Sequence, residues 1–273
     1  MIDTSSFYAP FLAQKAIDVT AFIGTWPTRY QSRATAADLS AMADRLQLEA
    51  MCVSHIASIH GHDTRSGNEA LFAESASDDR LLPFVIITPA ETNWEAELEW
   101  AAASGAKGVR LVPGYHGYDP AGSDAKALYA AVRRLRLPLQ IAVRLQDERL
   151  QHPRFMAEHL PFHIAAELIV MLEGHPLLLS GFREHEWEQV KRMLPQGACL
   201  EHVCCDLWFC NGPLAVISKL CARGEAERFA YGSCTPIQSA EATALQLAAA
   251  AIGEADRALL CRGNAGRYLS TGE

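Results

Sequence analysis

Short apolar runs alternate with longer amphipathic stretches from one end of the chain to the other. Runs of strand length fall at 16–22, 50–54, 82–87, 108–112, 137–143, 176–180, 198–203 and 228–232. Helical spacing of apolar positions fills the intervals at 35–47, 93–105, 123–136, 161–172, 184–194, 212–223 and 237–251, and a closing pair lies near 254–261 and 263–269. Thr35 followed by Asp38 has the spacing of a capping box, Asn93 and Ser123 read as N-caps, and Gly105 reads as a helix stop. Eight strands, each followed by a helix, predict parallel pairing through right-handed crossovers. A (β/α)8 barrel typically takes ~250 residues, and this chain has 273. No linker or compositional break divides it. No GxGxxG and no phosphate-binding GxxxxGK loop follows a strand, which argues against a doubly wound sheet. The expectation is an α/β protein, one TIM-barrel domain over 1–273.

Composition narrows the partners. Lys and Arg number 24 against 32 Asp and Glu, a formal charge of −8. An acidic chain without a basic run is badly suited to phosphate backbones or anionic membranes, so nucleic acid and membrane are excluded as partners. The opening MIDTSSFYAP has neither a basic nor an apolar targeting region, and no apolar run approaches the ~20 residues of a membrane span. Eight cysteines occur without a CxxC pair, which favours reduced thiols and a cytoplasmic setting.

In a barrel of this kind the chemistry gathers at the carboxyl ends of the strands. Trp26, Arg110, Tyr115, His116, Arg144, Asp147, His202, Asp206 and Cys234 fall at or just beyond the expected ends. Arg144 has the forked donor set for a carboxylate or phosphate; its alternative is an internal ion pair with Asp147, Glu148 or Asp206. Arg110 either binds an anion as well, points inward, or pairs with Glu91. His116, in PGYHGY, has the chemistry of a general acid or base, against a loop histidine bonded to a carbonyl. Cys234 is either a thiolate nucleophile or a buried, inert thiol. Trp26 either walls a pocket or, with Phe22, plugs it. Tyr115, Asp147, His202 and Asp206 complete the candidate binding set.

Three segments resemble the amidohydrolase superfamily, in its amidohydrolase-related branch of metal-dependent hydrolases and decarboxylases. Ile17–Gly24 (IDVTAFIG) is similar to the strand-one pattern Asp-x-His-x-His-x-Gly. Tyr231–Pro236 (YGSCTP) is similar to the strand-eight Gly-Ser-Asp-x-Pro, and Gly263–Leu269 (GNAGRYL) to the closing Gly-Asn-Ala-x-Arg-Leu helix. The stretches 105–120 and 67–72 also resemble loops of this branch. The resemblance implies the barrel and, from the habits of such proteins, a homodimer. It also implies one or two divalent metals held by a histidine pair on strand one, histidines on strands five and six, and an aspartate on strand eight. Here those positions read Thr20 and Phe22, Val143 and Arg144, Ser180, and Cys234. Phenylalanine has no donor atom, threonine is a poor zinc ligand, and a guanidinium repels a cation. The expectation is therefore no metal and no cofactor. A relocated zinc site is the alternative, built on His60 and His62 with His202, Cys204, Cys205 or Cys210.

Two functions follow. One is a metal-independent hydrolase or lyase of a small anionic metabolite, with His116, Cys234 and Arg144 catalytic. The other is a silent pseudo-enzyme that binds a metabolite or serves as an oligomeric partner.

Overall fold

In the computed structural model the described residues are 5–270, apart from Tyr30, Pro213 and Leu214. Eight strands form the frame: β1 (Ile17–Thr25), β2 (Ala50–His55), β3 (Leu81–Ile86), β4 (Gly108–Leu111), β5 (Leu139–Ala142), β6 (Leu177–Ser180), β7 (Val203–Asp206) and β8 (Phe229–Ala230). Each pairs in parallel with the next. The sheet closes on itself: the amide of Val19 donates to Tyr231 O at 3.0 Å, Cys234 N to Thr20 O at 2.7 Å and Phe22 N to Thr235 O at 2.8 Å. A two-residue ribbon, Arg33–Ala34, runs antiparallel to the end of β1.

The outer helices are α1 (Ser5–Leu12), α2 (Ala36–Leu46), α3 (Thr64–Ser75), α4 (Trp94–Ala103), α5 (Ser123–Arg134), α6 (Phe162–Met171), α7 (Glu184–Met193), α8 (Val216–Ala222) and α9 (Ala240–Ala249). Thr35 caps α2 with a reciprocal Asp38 box, as its spacing predicts. Asn93 caps nothing with its side chain, which donates to Glu97 instead. Gly122, not Ser123, precedes α5. The stretch 67–72, read as a loop, lies within α3; its Asn68 side chain bonds both backbone groups of Ile86 and ties the helix to β3. The 212–223 helix begins at Val216.

Alternation along the strands sorts side chains between the outer core and the barrel interior. Outward positions such as Val53, Val85, Val109, Ile141, Leu179 and Cys205 pack under the helices. Inward positions stack in layers. The lowest holds Ile17, Val19, Cys52, Phe84, Leu178, Cys204 and Ala230, closed by Ala265 and Tyr268 of the last helix, α10 (Asn264–Leu269). The uppermost holds Phe22, Ile86, Val112, Ala142 and Cys234. A polar layer separates them.

One register differs from the expectation. The strand placed at 198–203 lies at 203–206. His202 is thus at the start of β7, on the opposite face of the barrel from the mouth, and cannot line it. Cys204 likewise belongs to the bottom layer. Asp206, placed at the end of the seventh strand, is the strand's last position, turned inward where three donors, Thr20 Oγ1, Ser180 Oγ and Gly181 N, satisfy it.

Candidate functional site

The polar layer is a continuous hydrogen-bonded ring. Arg110 is fully buried, and its Nε donates to Gln140 Oε1 at 2.8 Å. Its terminal nitrogens donate to the carbonyls of Ala21 (2.9 Å), Val19 (3.3 Å) and Cys52 (3.0 Å). A register shift between Asp18 and Ala21 interrupts the β1 ladder at that point, where the Val19 and Ala21 carbonyls meet the guanidinium. Gln140 passes the chain on, Nε2 donating to Thr20 Oγ1 at 2.8 Å, and Thr20 donates to Asp206 Oδ2 at 2.6 Å. Ser180 donates to the same oxygen at 2.5 Å, and Gly181 N to Asp206 Oδ1 at 2.8 Å. Trp208 Nε1 closes onto Ser180 Oγ at 3.2 Å. Below, Asp18 accepts from Thr20 N, Ser233 N and Ser233 Oγ.

Two glycines make room for this ring. A Cβ on Gly181 (φ +95°) would sit 2.7 Å from Arg144 O, and one on Gly232 would sit 2.7 Å from the Cβ of Asp206. Burial without a direct counter-ion raises both carboxyls, Asp18 and Asp206, to about 6, although hydrogen bonds and the Arg110 charge pull the other way.

Over the ring sits an apolar layer of Phe22, Trp26, Ile56, Ile86, Val112, Leu145, Trp208, Phe209 and Cys234. The Phe22 ring lies 4.5 Å from the Arg110 guanidinium, covering it from above. Trp26 packs edge-on against His60 and Tyr115 at 4.8 and 5.7 Å, and His60 against Phe155 of the β5–α6 loop at 6.4 Å.

The residues expected to act together are held apart. Arg144 is buried and donates to Glu186 Oε2 at 2.6 Å, a partner on α7 that spacing does not reveal. Its guanidinium lies over Phe209, as does that of Arg183. Asp147 accepts from Arg149 and is held well below the usual carboxylate range by it. His116 bonds through Nε2 to Ser58 O at 3.1 Å, and burial lowers its pKa. Cys234 is fully buried in left-handed backbone (φ 55°), its thiol facing Leu145 O at 3.9 Å, and burial pushes it well above an ordinary thiol. Arg110 points inward and Glu91 binds Thr64 instead. Arg110 and Asp206 meet only through Gln140 and Thr20, while Trp26 and Tyr115 pack together and His60, considered above as a metal ligand, joins them. Gln140 and Asp18 were not candidates for the site. The signal for Gln140 was present: a lone amide in the run LPLQIAV, level with Arg110 in the register of β4 and β5.

A divalent ion does not fit this mouth. The inward tip of β5 is Ala142, while Val143 faces the outer core. Thr20 and Ser180 spend their hydroxyl protons on Asp206, and Phe22 presents only its ring. Among the described residues no group of three or more His, Cys, Asp or Glu side chains is arranged to hold a metal. Cys204 and Cys205 face opposite sides of β7, which separates the donors proposed to join His60 and His62.

The closed eight-stranded parallel sheet and its helical coat define a TIM-barrel α/β protein. A sequence model of the amidohydrolase family matches residues 14–270, and the chain belongs to that family. Solved structures with the same fold include a 2,6-dihydroxybenzoate decarboxylase from Rhizobium, 17% identical, with TM-score 0.66 over 93% of this chain and 97% of that one. A 5-carboxyvanillate decarboxylase from Novosphingobium aromaticivorans, solved with manganese, is 12% identical, with TM-score 0.69 over 93% and 95%. A probable 2-pyrone-4,6-dicarboxylic acid hydrolase from Acinetobacter baumannii, with citric acid bound, is 13% identical, with TM-score 0.66 over 93% and 99%. The search of curated proteins returns no significant match. Among the described residues no helix is long and apolar enough to cross a membrane.

Proposed function

We propose that this chain is a catalytically silent, metal-free member of the amidohydrolase family that binds a small organic acid at its mouth. The observation that carries the reading is the commitment of the family's metal-holding positions to internal partners. Thr20 and Ser180 serve Asp206, while Phe22, Ala142 and Cys234 form the apolar layer above it. The residues that would replace metal chemistry with acid–base or thiol chemistry, His116, Arg144 and Cys234, bond to different neighbours.

The compared proteins are named for planar, ring-bearing carboxylates. A ligand of that class suits the rim above the plug, where the rings of Trp26, His60, Tyr115 and Phe155 meet. Two buried polar atoms there have no partner: His60 Nε2 and the Tyr115 hydroxyl. Such orphans cost free energy unless a polar group meets them, and a carboxylate or phenol supplies one.

The test uses 2,6-dihydroxybenzoate and 5-carboxyvanillate as probes, with metal content measured by mass spectrometry on protein purified without chelator. Quenching of tryptophan fluorescence without consumption of either compound, in added manganese or zinc, is the expected result. Stoichiometric bound metal or metal-dependent release of carbon dioxide overturns it.

A further inference from the structure

We propose that a second site, on the amino-terminal face of the barrel, binds a small zwitterionic metabolite of the α-amino-acid class. It lies on the far side of the fold from the mouth and does not rest on the reading given above.

A cavity of about 390 Å³ opens there between the turn before β6, the segment leading into β7 and α10. Its wall includes Glu173, Glu201, His202, Cys204, Arg267 and Tyr268. The volume is in the range of small-ligand pockets. Polar groups of both signs are left uncommitted around it. His202 bonds Ile169 O through Nε2 at 3.0 Å, so Nε2 carries the proton and Nδ1 is a bare lone pair. That Nδ1 is buried without a partner. Arg267 donates one nitrogen to Glu227 O at 2.5 Å, which anchors the guanidinium and leaves its other donors available.

The mixture of charges selects the ligand. A plain anion drawn to Arg267 meets Glu173 and Glu201, and a plain cation drawn to the glutamates meets Arg267. A molecule with a carboxylate and an ammonium a few bonds apart satisfies both, its carboxylate on the guanidinium and its N–H groups on the glutamates. Because β7 starts at Val203, the mouth residues take no part in this arrangement.

The experiment screens the proteinogenic L-α-amino acids at millimolar concentration by thermal shift on the full chain, then measures the strongest by calorimetry. At least one raises the melting temperature, and its N-acetyl and carboxamide derivatives, each missing one charge, bind roughly tenfold more weakly or worse. Arg267→Gln and Glu201→Gln, both at exposed positions, lower affinity by a similar factor, whereas Tyr115→Phe at the mouth leaves it unchanged. The proposal is overturned if no amino acid shifts the melting temperature, if the N-acetyl derivative binds as tightly as its parent, or if both exposed variants bind like the wild type.

Discussion

Replacing Asp206 by Asn should change how stability depends on pH in a way that only a buried, protonatable carboxyl can produce. Asp206 is fully buried and its pKa is raised from 3.8 to about 6, first by desolvation. A carboxyl whose folded pKa lies above its unfolded value stabilises the fold fully below about 4, and the contribution is lost as pH rises through about 6. Between pH 5 and pH 7.5 that loss amounts to roughly 1–2 kcal/mol for one group. Histidines act in the opposite direction over the same interval: burial lowers His60 and His175 to about 4, so their contribution is lost as pH falls from about 6.5 toward 4. The raw stability curve therefore mixes both signs, and the variant separates them. Urea unfolding of wild type and Asp206→Asn at pH 5, 6 and 7.5 gives a difference in which the histidines cancel. The wild type should lose about 1–2 kcal/mol relative to the variant as pH rises. Asn keeps the size of the group and an acceptor, and the hydroxyls of Thr20 and Ser180 can turn to meet its amide. A difference that stays flat, or that moves in favour of the wild type, refutes the account of a carboxyl held near neutrality by burial.

Phe22→Ala removes a ring that is fully buried between the polar ring and the mouth, and should cost about 3–5 kcal/mol in urea unfolding; a loss under about 1 kcal/mol would mean that the plug is loosely packed. Cys234 should resist iodoacetamide in the folded protein while the partly exposed Cys199 and Cys221 react first, read by peptide mass spectrometry, because burial keeps its thiol protonated. Early labelling of Cys234 would mark an open, activated thiol instead. Arg110→Met strands Gln140 Oε1 and three carbonyls and leaves two buried carboxyls without a nearby cation, and should cost about 3–5 kcal/mol. A near-neutral result would show that the ring is held together without its charge.

The frame of the molecule was legible in the sequence because periodicity reports burial. Apolar runs near 16–22, 108–112 and 176–180 became β1, β4 and β6, and the Thr35–Asp38 spacing became a working cap. Periodicity failed where it carried two meanings. The run ACLEHV lies beside VCCD, and only pairing with β6 selects the second as the strand, which moves His202 to the other face of the barrel. The segment 64–75 has weak amphipathicity, so its helix is fixed by Asp63 accepting from Ser66 N at one end and by Asn68 against β3. At the mouth, Thr20, Phe22 and Cys234 could be named from the resemblance to the strand-one and strand-eight patterns. Their partners could not. Arg144 finds Glu186 42 residues away, and Thr20 finds Asp206 186 residues away, distances at which no local spacing speaks.

What unites the interior is the treatment of charge. A buried carboxylate needs a cation, a proton or a full set of hydrogen-bond donors. Here the interior cation is Arg110, carried by the chain and fixed by four hydrogen bonds, and its field lowers both Asp18 and Asp206 without touching either. The remainder of the cost is met by donors from Thr20, Ser180, Ser233 and Gly181, and below about pH 6 by protons, burial having raised both carboxyls to about 6. Phe22 then has a role of its own in this arrangement. Its ring lies over the guanidinium and keeps water from the charge, and a histidine there would place a second titratable group against Arg110. On the function proposed above, a histidine placed at position 22 alone would not create a metal centre, because Arg110, the hydroxyl donors and the apolar tip of β5 would remain in place.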